Sequence, residues 1–334
     1  MAGKKNSKLK LLYLKEIFEK YSDEDNILNS ADIAHYLEEY EIECERKSIY
    51  KDIEILIDYG MDIIKTSKPK TGYFLASRDF EIAELRLIND AVQAANFISK
   101  KKTVQLLKKT NELVSVSQSS RLKKQVFIDN RNKCTNEEIF YNIDALDRAI
   151  KSGKKVKLRY NRRKLDNKFT ATNEQREFIL SPYALIWSND HYYLVANNQK
   201  YDNLMNMRID RIRKVELLDE NFRHFSEVSE YTSSFDAADY VSKAFNMFSG
   251  KLMSTELHCR TEIIEEMLDR FGEKVSIRKG EEGWFYVHDD LYINDGLASW
   301  IMQFGDKIEV IYPPELKQAI LEKSNNILKL YSAY

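Results

Sequence analysis

The chain is poor in the residues that build phosphate cradles, disulfide staples and metal sites. Ten glycines and four prolines in 334 residues leave little material for glycine-rich loops or long structureless segments. Its three cysteines, Cys44, Cys134 and Cys259, lie far apart. That spacing excludes a disulfide framework or a paired-cysteine zinc motif and suits a reducing, cytoplasmic setting. The five histidines (His35, His191, His224, His258, His288) fall at no metal-ligand spacing, and a strand would point His258 and Cys259 to opposite faces. No metal or cofactor is therefore expected. No Walker pattern, G-x-G-x-x-G, H-E-x-x-H or C-x-x-C occurs, and carboxylate pairs such as Asp289-Asp290 carry no weight among 53 acids. Catalysis is not expected and no catalytic residue is assigned. No run approaches the roughly 20 apolar residues of a membrane span, and the opening MAGKKNSKLK leads into an amphipathic segment without a signal-peptide core.

What is present describes a folded, multidomain protein. A content of 43% hydrophobic and 12% aromatic residues argues against disorder, and the length suits two or three domains. The formal net charge of −1 conceals a segregation. Residues 97–128 hold eight Lys/Arg and one Glu, residues 151–215 fifteen Lys/Arg and six acids, and residues 216–334 twelve Lys/Arg and twenty-two acids. The middle of the chain is expected to attract something anionic, with a solvated basic face as the alternative.

Residues 1–76 read as a winged helix-turn-helix. An opening helix carries Leu9, Leu11, Leu12, Leu14, Ile17, Phe18 and Tyr21. Ser30 is the expected N-cap of a second helix with Ile33, Ala34 and Leu37 inward. A third helix, Arg46–Tyr59, carries Ile49, Ile53, Leu56 and Ile57 on its buried side and is stopped by Gly60. Two extended pieces follow, Asp62–Thr66 and Tyr73–Ala76, joined by a tip at 67–72. The segment holds twelve bases and fifteen acids, yet eleven of the acids and only one lysine lie between residues 16 and 45. The bases gather on an N-terminal arm, on the third helix and on the wing, the places that meet phosphates in such folds. Arg46, Lys47, Ser48, Tyr50, Lys51, Lys68 and Lys70 are the expected DNA contacts. The stretch Arg46-Lys47-Ser48-Ile49-Tyr50-Lys51-Asp52-Ile53-Glu54 resembles the recognition helix of bacterial DeoR-like regulators, and Gly72-Tyr73-Phe74-Leu75 resembles their wing strand. Lys47 and Lys51 stand where arginines are usual, which removes the bidentate fork.

Residues 77–130 carry helical periodicity without Gly or Pro, with two helices expected over 79–125 and a break near Ser99–Thr103. A dimer-forming arm is preferred over a plain spacer, because reading a symmetric operator needs a twofold partner. Between Val156 and Leu218 the period becomes that of strands. A helix at Asn142–Lys151, a strand at Val156–Asn161, a basic polar loop at Arg162–Glu174, a hairpin of Phe178–Trp187 with His191–Asn197, and strands at Leu204–Asp210 and Lys214–Leu218 predict a small Sm- or SH3-like barrel within 135–222.

Ser181-Pro182-Tyr183-Ala184-Leu185, Tyr192-Tyr193-Leu194-Val195-Ala196 and Met207-Arg208-Ile209-Asp210-Arg211-Ile212 resemble the WYL domain in order and spacing, with Tyr192 at the Trp position. The resemblance implies a ligand-sensing module that binds an anionic effector, a nucleotide or single-stranded nucleic acid, through Ser181, Tyr183, His191, Tyr193, Arg208 and Arg211. Strict strand alternation separates Arg208 from Arg211, so a bend must bring them together. Residues 250–334 alternate strand and helix in the order βαββαβ plus one helix, a ferredoxin-like plan. Leu297–Phe304, Gly305, Lys307–Tyr312 and Pro314-Glu315-Leu316 resemble the extension that follows WYL, the WCX-type domain.

The expected fold class is thus α+β multidomain. The expected function is a cytoplasmic, homodimeric transcription regulator that binds double-stranded operator DNA, senses an anionic effector and has no membrane partner. An RNA- or single-strand-binding protein that uses the barrel, and a nucleotide-acting enzyme, remain the alternatives.

Overall fold

The computed structural model describes residues 6–123 and 133–332 and divides into two compact units, Met1–Thr135 and Asn136–Tyr334. Lys4 and Lys5 of the expected arm, and residues 124–130 of the expected connector, lie outside the described residues.

The first unit opens with α1 (Asn6–Tyr21), α2 (Ser30–Glu38) and α3 (Arg46–Asp58), followed by the hairpin β1 (Ile63–Thr66) and β2 (Gly72–Leu75). Leu14, Ile17 and Phe18 of α1 repeat at helical spacing and are fully buried, whereas Leu9 and Leu12 face outward. Asn29, not Ser30, caps α2: its side chain accepts from the Ala31 and Asp32 amides while Asp32 accepts from the Asn29 amide. Ser30 sits inside the helix. Ile49, Ile53 and Leu56 bury the inner line of α3. Ile57, expected inward, is exposed, because it falls about 80° around the helix from Ile49. Gly72 lets β2 pass close to the preceding loop, since a Cβ there would lie 2.4 Å from the Leu28 carbonyl oxygen.

The connector has three helices rather than two: α4 (Ile82–Ala94), α5 (Lys100–Asn111) and α6 (Val116–Lys123). Ser99 caps α5 by accepting from the Lys102 amide at 3.2 Å, so Lys100–Lys102 open a helix instead of interrupting one. Leu85, Val114 and Leu122 form a small core, beside which Asn89 donates to Asn111 at 3.1 Å and accepts from Thr110 at 2.5 Å. Arg78 binds this helical layer to the winged helix by donating to the carbonyls of Glu19 (2.7 Å) and Ser22 (2.6 Å). The connector is therefore packed into the same unit as the hairpin.

The second unit begins with α7 (Ile139–Ser152), closed by Gly153 at φ +65°. Strands β3 (Lys154–Leu165), β4 (Ala171–Ser188), β5 (His191–Asn197), β6 (Leu204–Arg208) and β7 (Ile212–Asn221) follow. They form one antiparallel sheet in the order β6-β5-β4-β3-β7. β4 pairs with β3 as far as Leu180 and with β5 from Ser181 onward, the latter pairing carrying a register shift between Pro182 and Ala184. The loop expected at Arg162–Glu174 is instead strand: β3 and β4 stay paired as far as Leu165↔Ala171. Cross-strand charge pairs join the two strands, Lys164 to Glu174 and Lys157 and Arg159 to Glu177, while Arg176 also binds Glu174 from the same strand. Residues 222–250, with α8 (Ala237–Lys243), place Phe225, Val228, Tyr240 and Met247 in one core with Tyr183, Ile186, Tyr193 and Val195.

The chain ends with β8 (Lys251–Arg260), α9 (Ile264–Phe271), β9 (Ser276–Lys279), β10 (Trp284–Ile293), α10 (Asp295–Met302), β11 (Ile308–Tyr312) and α11 (Pro314–Tyr331). The all-antiparallel order β11-β8-β10-β9 is the ferredoxin-like plan with an added helix. Leu257, Cys259, Phe285 and Val287 face a core with Met267, Leu297 and Ile301. His258 lies on the opposite face, stacked between Trp284 and Tyr286 with both ring centroids at 4.4 Å, so the alternation expected of His258 and Cys259 is observed.

Candidate nucleic-acid interface and anion site

Two groups of basic side chains stand out, one in each unit. In the winged helix, burial of Ile49, Ile53 and Leu56 turns Lys47 and Lys51 to the outer line of α3, one helical turn apart. Both are exposed, as is Lys68 at the hairpin tip, and none of the three has an ion-pair partner among the described residues. Two neighbouring bases, Lys10 and Lys70, are neutralised by carboxylates. Lys10 pairs with Asp52 at 2.5 Å and donates to Ser48 Oγ at 2.8 Å. Lys70 pairs with Asp32 at 2.5 Å. Arg46 Nε donates to Ser30 Oγ at 2.8 Å, which fixes its stem against α2. Tyr50 lies 6.1 Å from Tyr73, over which Lys65 sits at 5.9 Å, so the wing strand and α3 share one aromatic-basic surface.

In the second unit the predicted ligand residues separate into two sets. His191, Tyr193, Arg208 and Arg211 come together. Tyr193 pairs directly with Arg208 across β5 and β6, and the His191 and Tyr193 rings lie 6.2 Å apart. After Arg208 the chain leaves the strand for a single 3₁₀ turn, Ile209–Arg211. This supplies the bend that alternation alone forbids. Arg208 forms a bidentate pair with Asp210, Nε to Oδ1 at 3.0 Å and Nη2 to Oδ2 at 2.7 Å, while Arg213 donates to the Asp210 and Ile212 carbonyls at 2.8 and 3.1 Å. Burial works against the Arg208 charge, but the Asp210 carboxylate outweighs it and holds the guanidinium above its usual range. Burial, with Arg208 and Arg211 adding to it, pushes the His191 imidazole below its usual value. Its Nδ1–H donates to the Asp190 carbonyl at 2.9 Å, which leaves Nε2 as the free ring nitrogen. Burial raises the Tyr193 phenol, with Arg208 opposing.

Ser181 and Tyr183 do something else. Ser181 Oγ accepts from the Arg223 amide at 2.9 Å and Tyr183 Oη donates to the Arg223 carbonyl at 2.7 Å. Both are buried, and burial pushes the Tyr183 phenol up to about 12. They clamp the segment after β7 onto the five-stranded sheet. Tyr160 of β3, not among the residues expected from the sequence, lies near both Tyr193 and Arg208. The alternation Leu158–Tyr160 along β3 carries the signal for it, because Leu158 is fully buried on the same face.

Chemically, the second cluster offers two guanidinium groups, an imidazole and two phenols around one carboxylate, a set suited to an oxyanion such as phosphate. Among the described residues no group of three or more His, Cys, Asp or Glu side chains could hold a metal ion, and no helix is long and apolar enough to cross a membrane.

Comparison with known proteins gives a consistent picture of the second unit. Residues 141–217 match the WYL domain and residues 253–328 the WCX domain. No curated protein matches the chain. Among solved structures, proteasome accessory factor B/C (PafBC) of Arthrobacter aurescens aligns at 15% identity and a TM-score of 0.26, over 95% of this chain and 45% of that one. This chain thus spans less than half of that protein's length. The matched five-stranded sheet, followed by the matched ferredoxin-like sheet, makes this a chain that carries a WYL domain and a WCX domain.

Proposed function

We propose that the chain is a DNA-binding transcription regulator whose WYL domain senses an anionic effector. The observation that carries the reading is the selective neutralisation around α3. Lys10 and Lys70 are held by carboxylates, while Lys47, Lys51 and Lys68 stand exposed, without an ion-pair partner among the described residues, on one helix line and the adjoining wing tip. Free ammonium groups so placed release counterions on meeting duplex phosphates, and the start of α3 is the part that enters the major groove in helix-turn-helix folds. Arg46, Ser48 and Tyr50 border the same surface.

The effector site is the cluster of His191, Tyr193, Arg208 and Arg211, which fits a nucleotide or an oligonucleotide phosphate. Ser181 and Tyr183 support the barrel behind it. The protein acts as a homodimer on a symmetric operator, and the effector shifts DNA affinity only as far as it distinguishes two dimer geometries. Lys47→Ala with Lys51→Ala weakens duplex binding roughly tenfold and leaves the binding of an oligothymidylate at the WYL domain intact. Arg208→Ala does the reverse. Fluorescence anisotropy on both probes checks the pair, and loss of both activities in either variant contradicts the division of labour.

A further inference from the structure

The ribbon formed by the outer ends of β3 and β4 belongs to neither site. Partner β7 follows β3 only as far as Tyr160, and β5 joins β4 only from Ser181 onward. From Asn161–Leu165 against Ala171–Gln175, two strands therefore stand without a third among the described residues, a projection of roughly 17 Å. Such a ribbon has no core of its own. Its tip is closed by Asp166, whose Oδ1 accepts from the Lys168 and Thr170 amides at 2.8 Å each, and carries Phe169 at 84% exposure.

The two faces of the ribbon differ. The register puts Tyr160, Arg162, Lys164, Glu174 and Arg176 on the face continuous with buried Leu158, and Asn161, Arg163, Asn173 and Gln175 on the other. Glu174 is taken by Lys164 and Arg176. Arg162, Arg163 and Lys168 are exposed and make no ion pair among the described residues. The outer face thus presents one free guanidinium and three side-chain amides, of which Gln175 donates to Asn161 at 3.1 Å.

We infer that this outer face is a second contact for double-stranded DNA, laid in the major groove. The groove, about 12 Å wide, admits a two-stranded ribbon, and Arg, Asn and Gln are the side chains that hydrogen-bond purine edges there. Lys168, in the turn at the ribbon's tip, adds an exposed cation beside this face. A lipid surface would use the apolar tip but has no use for the amide row. A guanidinium beside three amides matches base edges better than it matches the carboxylates of an acidic protein.

The test compares full-length proteins on a labelled duplex, a single-stranded oligonucleotide and heparin. Arg163→Ala with Asn173→Ala weakens duplex binding about tenfold, leaves single-strand and heparin binding unchanged, and does so equally in the Lys47→Ala, Lys51→Ala background. Both substituted side chains are exposed, so thermal melting stays at the parental value. If the winged-helix pair has no effect while the ribbon pair does, the ribbon stands and the operator reading falls. Unchanged duplex affinity overturns the inference, as does an equal loss on heparin or on the single strand, neither of which offers a duplex groove.

Discussion

At Arg208 a cation suited to an anionic ligand is already held by a carboxylate of its own chain. Both Arg208–Asp210 contacts are charge-assisted hydrogen bonds, so an incoming phosphate competes with Asp210 for the guanidinium. Asp210→Asn removes the competitor's charge and raises affinity for an oligothymidylate roughly tenfold, measured by titration calorimetry; unchanged or weaker binding contradicts the competition. His191 adds a pH dependence. Its pKa lies below the ordinary 6.5 because of burial and of Arg208 and Arg211, with Asp210 and the Asp190 carbonyl opposing. The ring is therefore neutral near pH 7 and becomes a further cation only as pH falls through that lowered value. Oligothymidylate phosphodiesters keep their charge in this window, so affinity rises on acidification and the rise is absent in His191→Asn. The folding linkage has the opposite sense. A depressed histidine pKa contributes stability that is fully present above the unfolded-state value and is lost as pH drops through and below it.

Among the elements, the wing depends on one close backbone approach. A Cβ at Gly72 would meet the Leu28 carbonyl oxygen at 2.4 Å and Ile27 Cγ2 at 2.8 Å, atoms held in place because the Leu28 and Tyr73 amides and carbonyls bond one another at 2.8–2.9 Å. Gly72→Ala accordingly lowers stability by about 2–3 kcal/mol in urea unfolding, whereas a wild-type midpoint would show that the loop yields freely. Regular elements with a clear period were legible in the sequence. Gly153 ends α7 as expected, α3 ends within a residue of its predicted limit, and the βαββαβ order of the last domain follows from its alternating signals. What escaped was local competition. Asn29 and Ser30 are both good caps, and only the reciprocal bond from Asp32 decides between them. The ribbon at 161–175 looked like a loop because its residues are polar, yet the continuous backbone ladder and the cross-strand Lys164–Glu174 pair sustain strands that need no apolar face. The site was half legible. Arg208 and Arg211 were identified, but the turn that unites them and the diversion of Ser181 and Tyr183 to Arg223 depend on tertiary packing.

Across the whole molecule, a net charge of −1 would by itself forbid general affinity for nucleic acid, so binding must come from where charge is left unpaired. Among the described residues, Lys47, Lys51 and Lys68 in the first unit, and Arg162, Arg163 and Lys168 in the second, are such places. The salt dependence of duplex binding reads their contribution directly, because each phosphate neutralised adds about 0.9 to the slope of log affinity against log salt. For Lys47→Ala, Lys51→Ala and Lys68→Ala combined, the winged-helix account predicts a slope shallower than the parental one by about two to three. A triple variant with the parental slope and affinity would contradict it.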